Sequence, residues 1–142
     1  MGKKRIVKKG GEEGAAGAAS SARGGKRKLD AGILYVEATY NNTKVALADT
    51  SGNTVTWSSS GSLGFAGAKK GTPFAAAKVG ELVGERAAAM GVKEVSVIVK
   101  GVGAGRESSI RAFSTKGIHI SGIQDRTPVP HNGPRQPKPR RI

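Results

Sequence analysis

Three runs of β-branched, aromatic and alternating apolar residues follow one another in the first half of the chain. The runs cover residues 33–40, 44–48 and 54–58. Residues of these types favour β-strands. Asn41 and Asn42 separate the first two runs, and asparagine tolerates the left-handed backbone that a tight hairpin requires. A second cluster of turn residues precedes the third run, so the pattern predicts a meander of three antiparallel strands.

A longer helical pattern follows at residues 73–90. Thr72 is a suitable N-cap, a proline takes the first helical position, and Gly91 is a C-terminal stop. Gly80 and Gly84 lie one turn apart on this helix. We expect them to allow close packing of the helix on the sheet, because a residue without a side chain lets a neighbouring element approach.

The rest of the apolar pattern predicts a strand, a short helix and a final strand. Residues 94–100 are nearly continuous in β-branched types, which favours an interior strand covered on both faces. The helix is expected at residues 106–116 and the strand at 118–124. With right-handed crossovers, the order βββαβαβ gives a mixed five-stranded sheet of order 3-2-1-4-5 with two helices. This is a ribonuclease H-like α/β fold.

Composition divides the chain into a body and two tails. Of the formal charge of +14, residues 1–28 carry +7 and residues 128–142 carry +4. Gly, Ala, Ser and Lys dominate the first segment, which therefore has little to bury and is expected to be disordered. Five of the six prolines lie in the last segment and oppose regular structure. We predict a flexible basic tail at 1–30, a body at 31–127 and an extended basic tail at 128–142.

The charge points to a polyanionic partner, and other features narrow the choice. The chain has no cysteine, so no disulfide framework or thiolate zinc site is possible. No apolar run reaches the ~18–20 residues of a membrane span, and no apolar segment follows the basic N-terminus as a secretory signal would require. Neither tail contains an amphipathic helix for an anionic lipid surface. Nucleic acid is the expected partner, and no membrane is expected.

An enzyme is the first alternative, because ribonuclease H-like folds include nucleases. Metal-dependent cleavage needs several carboxylates converging on one or two ions. The acids of the body show no grouped spacing such as D-x-D; they are Asp30, Glu37, Asp49, Glu81, Glu85, Glu94, Glu107 and Asp125. His119 and His131 belong to no triad pattern. We therefore expect no catalytic residues, no metal and no cofactor.

Glycine-rich basic loops are the stronger candidates for function. Residues 101–105 (GVGAG) join a strand to a helix, where backbone N–H groups can hold a phosphate, and Arg106 adds a bidentate donor. The loop matches neither a Walker motif nor a dinucleotide fingerprint, so an RNA backbone contact is the preferred interpretation and a structural turn the alternative. Lys69 and Lys70 lie on a second glycine-rich loop, and the C-terminal tail interleaves cations with prolines.

Four motifs in one order resemble the ribosomal protein S11 family. They are NNT at 41–43, GSLGFAGAKKGTPFAA at 61–76, GVGAGRE at 101–107 and TPVPHNG at 127–133, and the resemblance spans residues 33–142. It implies a cytoplasmic protein on the platform of the small ribosomal subunit that bridges helices of the small-subunit rRNA. It also implies messenger RNA nearby, in the cleft of the Shine–Dalgarno duplex. The implied protein neighbours are the seventh and eighteenth small-subunit proteins and initiation factor three.

The candidate RNA-binding residues follow from the loops, the tail and these motifs together. They are Asn41, Asn42, Lys44, Lys69, Lys70, Gly103, Gly105, Arg106, Arg111, Arg126, His131, Asn132, Arg135, Lys138, Arg140 and Arg141. Three positions depart from the family pattern: Ala66 replaces a common Lys or Arg, Val102 a proline, and Pro134 a cysteine. A nuclease and a free-standing nucleic-acid chaperone or regulator remain as alternatives to the rRNA-binding structural protein.

Overall fold

A computed structural model describes residues 28–141 of the chain. Its elements are β1 (Ala31–Ala38), β2 (Thr43–Ala48), β3 (Thr54–Ser59), a 3-10 helix (Gly67–Gly71), α1 (Pro73–Ala89), β4 (Glu94–Lys100), α2 (Arg106–Ser114) and β5 (His119–Asp125). The predicted strands and helices are confirmed, and the 3-10 helix is an addition. The flexible tail expected at 1–30 lies almost entirely outside the described residues.

The five strands form one mixed sheet in the order β3-β2-β1-β4-β5, as predicted. β1 is the central strand, antiparallel to β2 and parallel to β4, and β5 continues the parallel half. β3 pairs with β2 and carries a bulge opposite Leu47 and Ala48 of β2, where the pairing register shifts. Because β1, β4 and β5 run in the same direction, their carboxyl ends lie at one edge of the sheet.

Both helices cover the same face of the sheet. Alternate residues of the strands join α1 and α2 in one apolar cluster, which includes Leu34, Val36, Val45, Leu47, Val79, Val83, Val95, Val97, Val99 and Phe113. The interior position of β4 is confirmed. Its expected burial on both faces is wrong, since Glu94, Ser96 and Lys100 are exposed on the side away from the helices and only Ile98 is buried there.

The two glycines of α1 pack against α2, so the expected contact with the sheet is wrong. A Cβ built on Gly80 would lie 2.2 Å from the carbonyl oxygen of Ser109. One built on Gly84 would lie 2.7 Å from Cγ of Lys116. Both helices lie on the same face of the sheet and therefore cross each other in close contact. Glycine at the crossing leaves room for α2 to approach.

Element ends differ from the prediction by one or two residues. β1 ends at Ala38 because a tight turn already begins at Thr39. The N–H of Thr39 donates to the carbonyl of Asn42 at 2.8 Å, and the N–H of Asn42 donates to Oγ1 of Thr39 at 3.1 Å. α2 ends at Ser114, earlier than the predicted residue 116.

Candidate nucleic-acid interface

Most of the candidate residues lie at the edge of the sheet where the parallel strands end. The turn at 39–42 follows β1, the glycine loop at 101–105 follows β4, and residues 126–127 follow β5. The loop at 60–72 also starts there. β3 is antiparallel to β2 and therefore runs in the same direction as β1, so it ends at this edge. We call these four segments the loop end. In open α/β sheets, ligands bind outside the carboxyl ends of the parallel strands.

The turn after β1 is in close contact with the loop at 60–72. A Cβ on Gly71 would lie 2.1 Å from the carbonyl oxygen of Tyr40, so only glycine fits there. The N–H of Ser60 donates to the carbonyl of Thr43 at 3.0 Å at the start of the same loop. The loop is therefore fixed to the turn at both of its ends.

The glycine loop after β4 packs on the other side of the same turn. The N–H of Gly103 donates to the carbonyl of Ala38 at 2.9 Å, and a Cβ on Gly103 would lie 2.2 Å from the carbonyl of Thr39. A Cβ on Gly105 would lie 2.3 Å from Oγ1 of Thr43. Both predicted glycines are buried, so they bring the loop against the turn and do not themselves face solvent.

Arg106 joins the glycine loop to the start of the C-terminal tail. Its guanidinium donates to the Asp125 carboxylate at 2.7 Å, to the carbonyl of Gly101 and to Oγ1 of Thr127 at 3.4 Å. The Thr127 hydroxyl donates to Asp125 at 2.6 Å and accepts from the N–H of Gly101 at 3.1 Å. We call Arg106, Asp125 and Thr127 the clamp.

The clamp shifts the protonation of its carboxylate. The hydrogen bond from the Thr127 hydroxyl, followed by that from the Arg106 guanidinium, holds the pKa of the Asp125 carboxyl far below its ordinary value. The Arg106 side chain is one-third exposed (33%), so it is only partly open to a phosphate. Asp125 and Thr127 were not among the predicted site residues; the available signals were the position of Asp125 at the end of the last strand and that of Thr127 at the start of the TPVPHNG motif.

The lysines of the loop end are held by the capping of α1. Lys69 and Lys70 form the last turn of the 3-10 helix. Oγ1 of Thr72 donates to the carbonyl of Lys69 at 2.7 Å and accepts the N–H of Ala75 at 3.3 Å. Since Thr72 is the predicted N-cap of α1, one side chain fixes the start of the helix and the backbone of the lysine pair.

The remaining candidates of the body are distributed around this edge. Asn41 and Lys44 are exposed, whereas Oδ1 of Asn42 is buried within the turn. Arg111 is exposed on α2 beside a shallow depression between the starts of the two helices, which Pro73 and Gly103 also line. Arg126 is exposed, and its backbone N–H donates to the carbonyl of Val99 at 2.9 Å.

The structure attaches the start of the C-terminal tail to the body through Thr127. Residues 128–141 are exposed throughout and contain no helix or strand. Asn132 has a positive φ of 55° within a bend next to Gly133. The predicted tail residues are solvent-accessible side chains; they are His131, Asn132, Arg135, Lys138, Arg140 and Arg141.

The acidic side chains of the described residues are not grouped. Between residues 28 and 141, no group of three or more His, Cys, Asp or Glu side chains is close enough to hold a metal ion. Glu37 is flanked in the sheet register by Lys44 and Lys100 and not by a second acid. No helix in this part of the chain is long and apolar enough to cross a membrane.

Comparison with known proteins places most of the chain in one family of relatives. The family model described as Ribosomal protein S11 matches residues 32–141. The Small ribosomal subunit protein uS11 of Solibacter usitatus (strain Ellin6076) is 50% identical over 117 residues, which are 82% of this chain and 87% of that protein. The family match begins within β1 and takes in all four segments of the loop end.

Proposed function

Because the chain belongs to the ribosomal protein S11 family, we propose that its loop end and its C-terminal tail bind small-subunit rRNA. The chain is a structural ribosomal protein of the small subunit and takes part in translation; it is not an enzyme. The observation that carries the proposal is the convergence of four separate segments, three of them glycine-containing or basic loops, on one edge of the sheet.

The arrangement suits the recognition of an RNA backbone. Phosphate contacts from Lys and Arg side chains position a protein on nucleic acid and provide most of the electrostatic affinity. The exposed cations of the loop end and its surroundings are Lys44, Lys69, Arg111 and Arg126, with Lys70 partly buried beside them. In this proposal the buried glycines and the clamp fix the relative positions of these cations, and Arg106 is mainly a positioning residue.

The finer location follows from the family motifs. We place the protein on the platform of the cytoplasmic small subunit, bridging rRNA helices near the cleft that holds the Shine–Dalgarno duplex. The proposed neighbours are the seventh and eighteenth small-subunit proteins, with initiation factor three and messenger RNA nearby. Co-sedimentation of the purified chain with small subunits at moderate salt, followed by crosslinking, tests this location. A chain that stayed in the supernatant would instead favour a free-standing nucleic-acid chaperone.

The rRNA proposal predicts a measurable role for the lysine pair. Lys69→Gln/Lys70→Gln lowers affinity for a small-subunit rRNA fragment and reduces the slope of log K against log salt by roughly 1.4–1.8, since each phosphate contact contributes about 0.7–0.9. The measurement is fluorescence anisotropy across a salt series. A wild-type slope near zero would contradict the electrostatic mechanism.

A matched pair of lysines provides the control. Lys28 and Lys93 are exposed at the opposite edge of the sheet, where Lys93 donates its backbone N–H to Asp30 at 2.9 Å. Lys28→Gln/Lys93→Gln removes the same charge from the chain. We expect it to leave the salt slope nearly unchanged, because long-range effects of distant surface charges are screened by salt. Equal losses from both pairs would show that only net charge matters.

A further inference from the structure

The aromatic residues of this chain are few and unevenly placed. There are three Phe, two Tyr and one Trp, and Phe113 is the only one of them that is fully buried in the described structure. Tyr40, Phe65 and Phe74 all lie on or directly beside the loop end. Tyr40 and Phe74 are 78% and 64% exposed. Half of the aromatic side chains are thus concentrated where the RNA-binding cations lie.

Phe74 is exposed but its ring is held in place. It occupies the second position of α1, and its ring lies 6.2 Å from that of Phe65 in an edge-to-face arrangement at 85°. Nζ of Lys78 lies 5.6 Å from the ring centroid. A ring held by a neighbouring ring loses little rotational freedom on binding a ligand. The ammonium group of Lys78 is also close enough to the ring to contact the phosphate of a nucleotide stacked on it.

Tyr40 lies on a turn that is equally well fixed. Three hydrogen bonds between Thr39 and Asn42 close the turn, and Gly71 packs against the carbonyl of Tyr40. This contact joins Tyr40 to the loop that carries the lysine pair and leads into Phe74. The two exposed rings therefore belong to adjoining rigid segments.

Charge around the rings distinguishes between possible occupants. Single exposed apolar residues are common on protein surfaces and alone indicate nothing. Here Lys69 and Lys70 directly precede α1 and Lys78 stands by the ring, whereas Glu81, the acid nearest along the helix, pairs with Lys78 at 3.4 Å. A mainly basic surface with exposed aromatic rings is complementary to nucleic acid bases and their phosphates.

We infer that Phe74 and Tyr40 are stacking surfaces for unpaired bases, so that the loop end selects RNA with internal loops or bulges over uniform duplex. The inference rests on the proposed rRNA binding and specifies its substrate class. A paired helix hides its base faces, whereas unstacked bases in loops can lie on aromatic side chains. The lysines then supply phosphate contacts, and the rings supply preference for exposed bases.

The test compares two RNAs that carry equal numbers of phosphates. One is a fully paired duplex, and the other contains an internal loop labelled with 2-aminopurine. We expect Phe74→Leu and Tyr40→Leu each to weaken binding to the looped RNA by about 5- to 100-fold, the range for one lost base stack. Binding to the duplex and the salt slope stay unchanged, because no phosphate contact is lost. Phe74→Tyr retains a ring and restores both affinity and 2-aminopurine quenching.

Trp57→Leu is the matched control, since Trp57 is 54% exposed but lies mid-strand opposite Ala46. It should change binding by no more than about twofold, as is usual for surface substitutions. Equal loss on both RNAs, a flatter salt slope, or no loss would overturn the inference. Weaker co-sedimentation with small subunits at unchanged RNA affinity would assign the rings to a protein neighbour instead. Failure of the wild-type chain to bind either RNA would remove the rRNA proposal itself.

Discussion

Arg106 illustrates how one side chain changes role between sequence and structure. A cation after a glycine-rich loop suggests a phosphate donor. In the fold its guanidinium is shared among Gly101, Asp125 and Thr127, which connects the loop after β4 to the residues after β5. A side chain with this many internal acceptors determines where the tail leaves the body. In the proposed function, the nearby exposed cations make the phosphate contacts.

Asp125→Asn tests the clamp through pH. Because the pKa of Asp125 is lowered in the folded state, the ionised carboxylate stabilises the fold fully above its ordinary pKa of 3.8. This contribution is lost as the pH falls below that value towards the folded-state pKa. We expect the wild-type chain to have the higher thermal midpoint at pH 7 and the difference to shrink steadily as the pH falls below 3.8 towards the folded-state pKa. A difference independent of pH would contradict the role of the charge.

At the scale of elements, the crossing of α1 and α2 is tightest at the backbone contact of Gly80. Gly80 faces the carbonyl of Ser109, which cannot move without shifting α2. A Cβ on Gly84 would lie 2.7 Å from Cγ of Lys116 and 3.3 Å from the carbonyl oxygen of Phe113, which is a less severe contact. Two glycines with the same helical spacing therefore have different structural importance. The start of α2 carries Gly105 and Arg106, so this crossing also positions part of the loop end.

The comparison of Gly80→Ala with Gly84→Ala measures this difference. We expect Gly80→Ala to lower the free energy of unfolding by about 1–3 kcal/mol, the usual cost of overpacking. Gly84→Ala should cost less than Gly80→Ala, because its nearest contact is a side-chain carbon of Lys116 and the gain in helix propensity, about 1 kcal/mol, offsets part of the displacement. Urea denaturation of both variants provides the values. If both variants unfolded with the same free energy as the wild-type chain, the two helices would separate at little cost.

At the scale of the whole molecule, shape and charge are divided between body and tail. The described body supplies a rigid edge with fixed loops, while residues 128–142 add four cations and no acid. Since residues 128–141 are exposed and outside any helix or strand, their contribution to folding is small. Their contribution to RNA binding is expected to be large, because proline limits the entropy lost when an extended segment docks.

Deletion of residues 128–142 separates these contributions. We expect the salt slope for rRNA binding to fall by roughly 3 when four phosphate contacts are lost, and the urea midpoint to remain that of the full chain. Arg135→Gln/Lys138→Gln/Arg140→Gln/Arg141→Gln keeps the prolines and should lower the slope equally. A reduced urea midpoint after deletion would show that the tail supports the body. An unchanged slope would exclude it from phosphate binding.

The sequence by itself determined the fold class, the strand order and the position of the basic loops. Period-two and β-branched patterns, Thr72 with Pro73, and the asparagine pair at 41–42 are local signals, and local chemistry limits the backbone to few solutions. The strand order followed because crossover handedness leaves few arrangements of βββαβαβ. The family motifs were also readable from residue identity alone.

Only the tertiary structure decided which distant residues meet. Gly105 beside Thr43, Gly80 beside Ser109 and Arg106 beside Asp125 are contacts between segments that no sequence period relates. The exposed face of β4 was wrongly predicted to be covered, because a run of β-branched residues does not reveal that both helices lie on one side of the sheet. Charge and pattern identified the loops, and three-dimensional packing determined which of their residues face solvent and which hold the loops together.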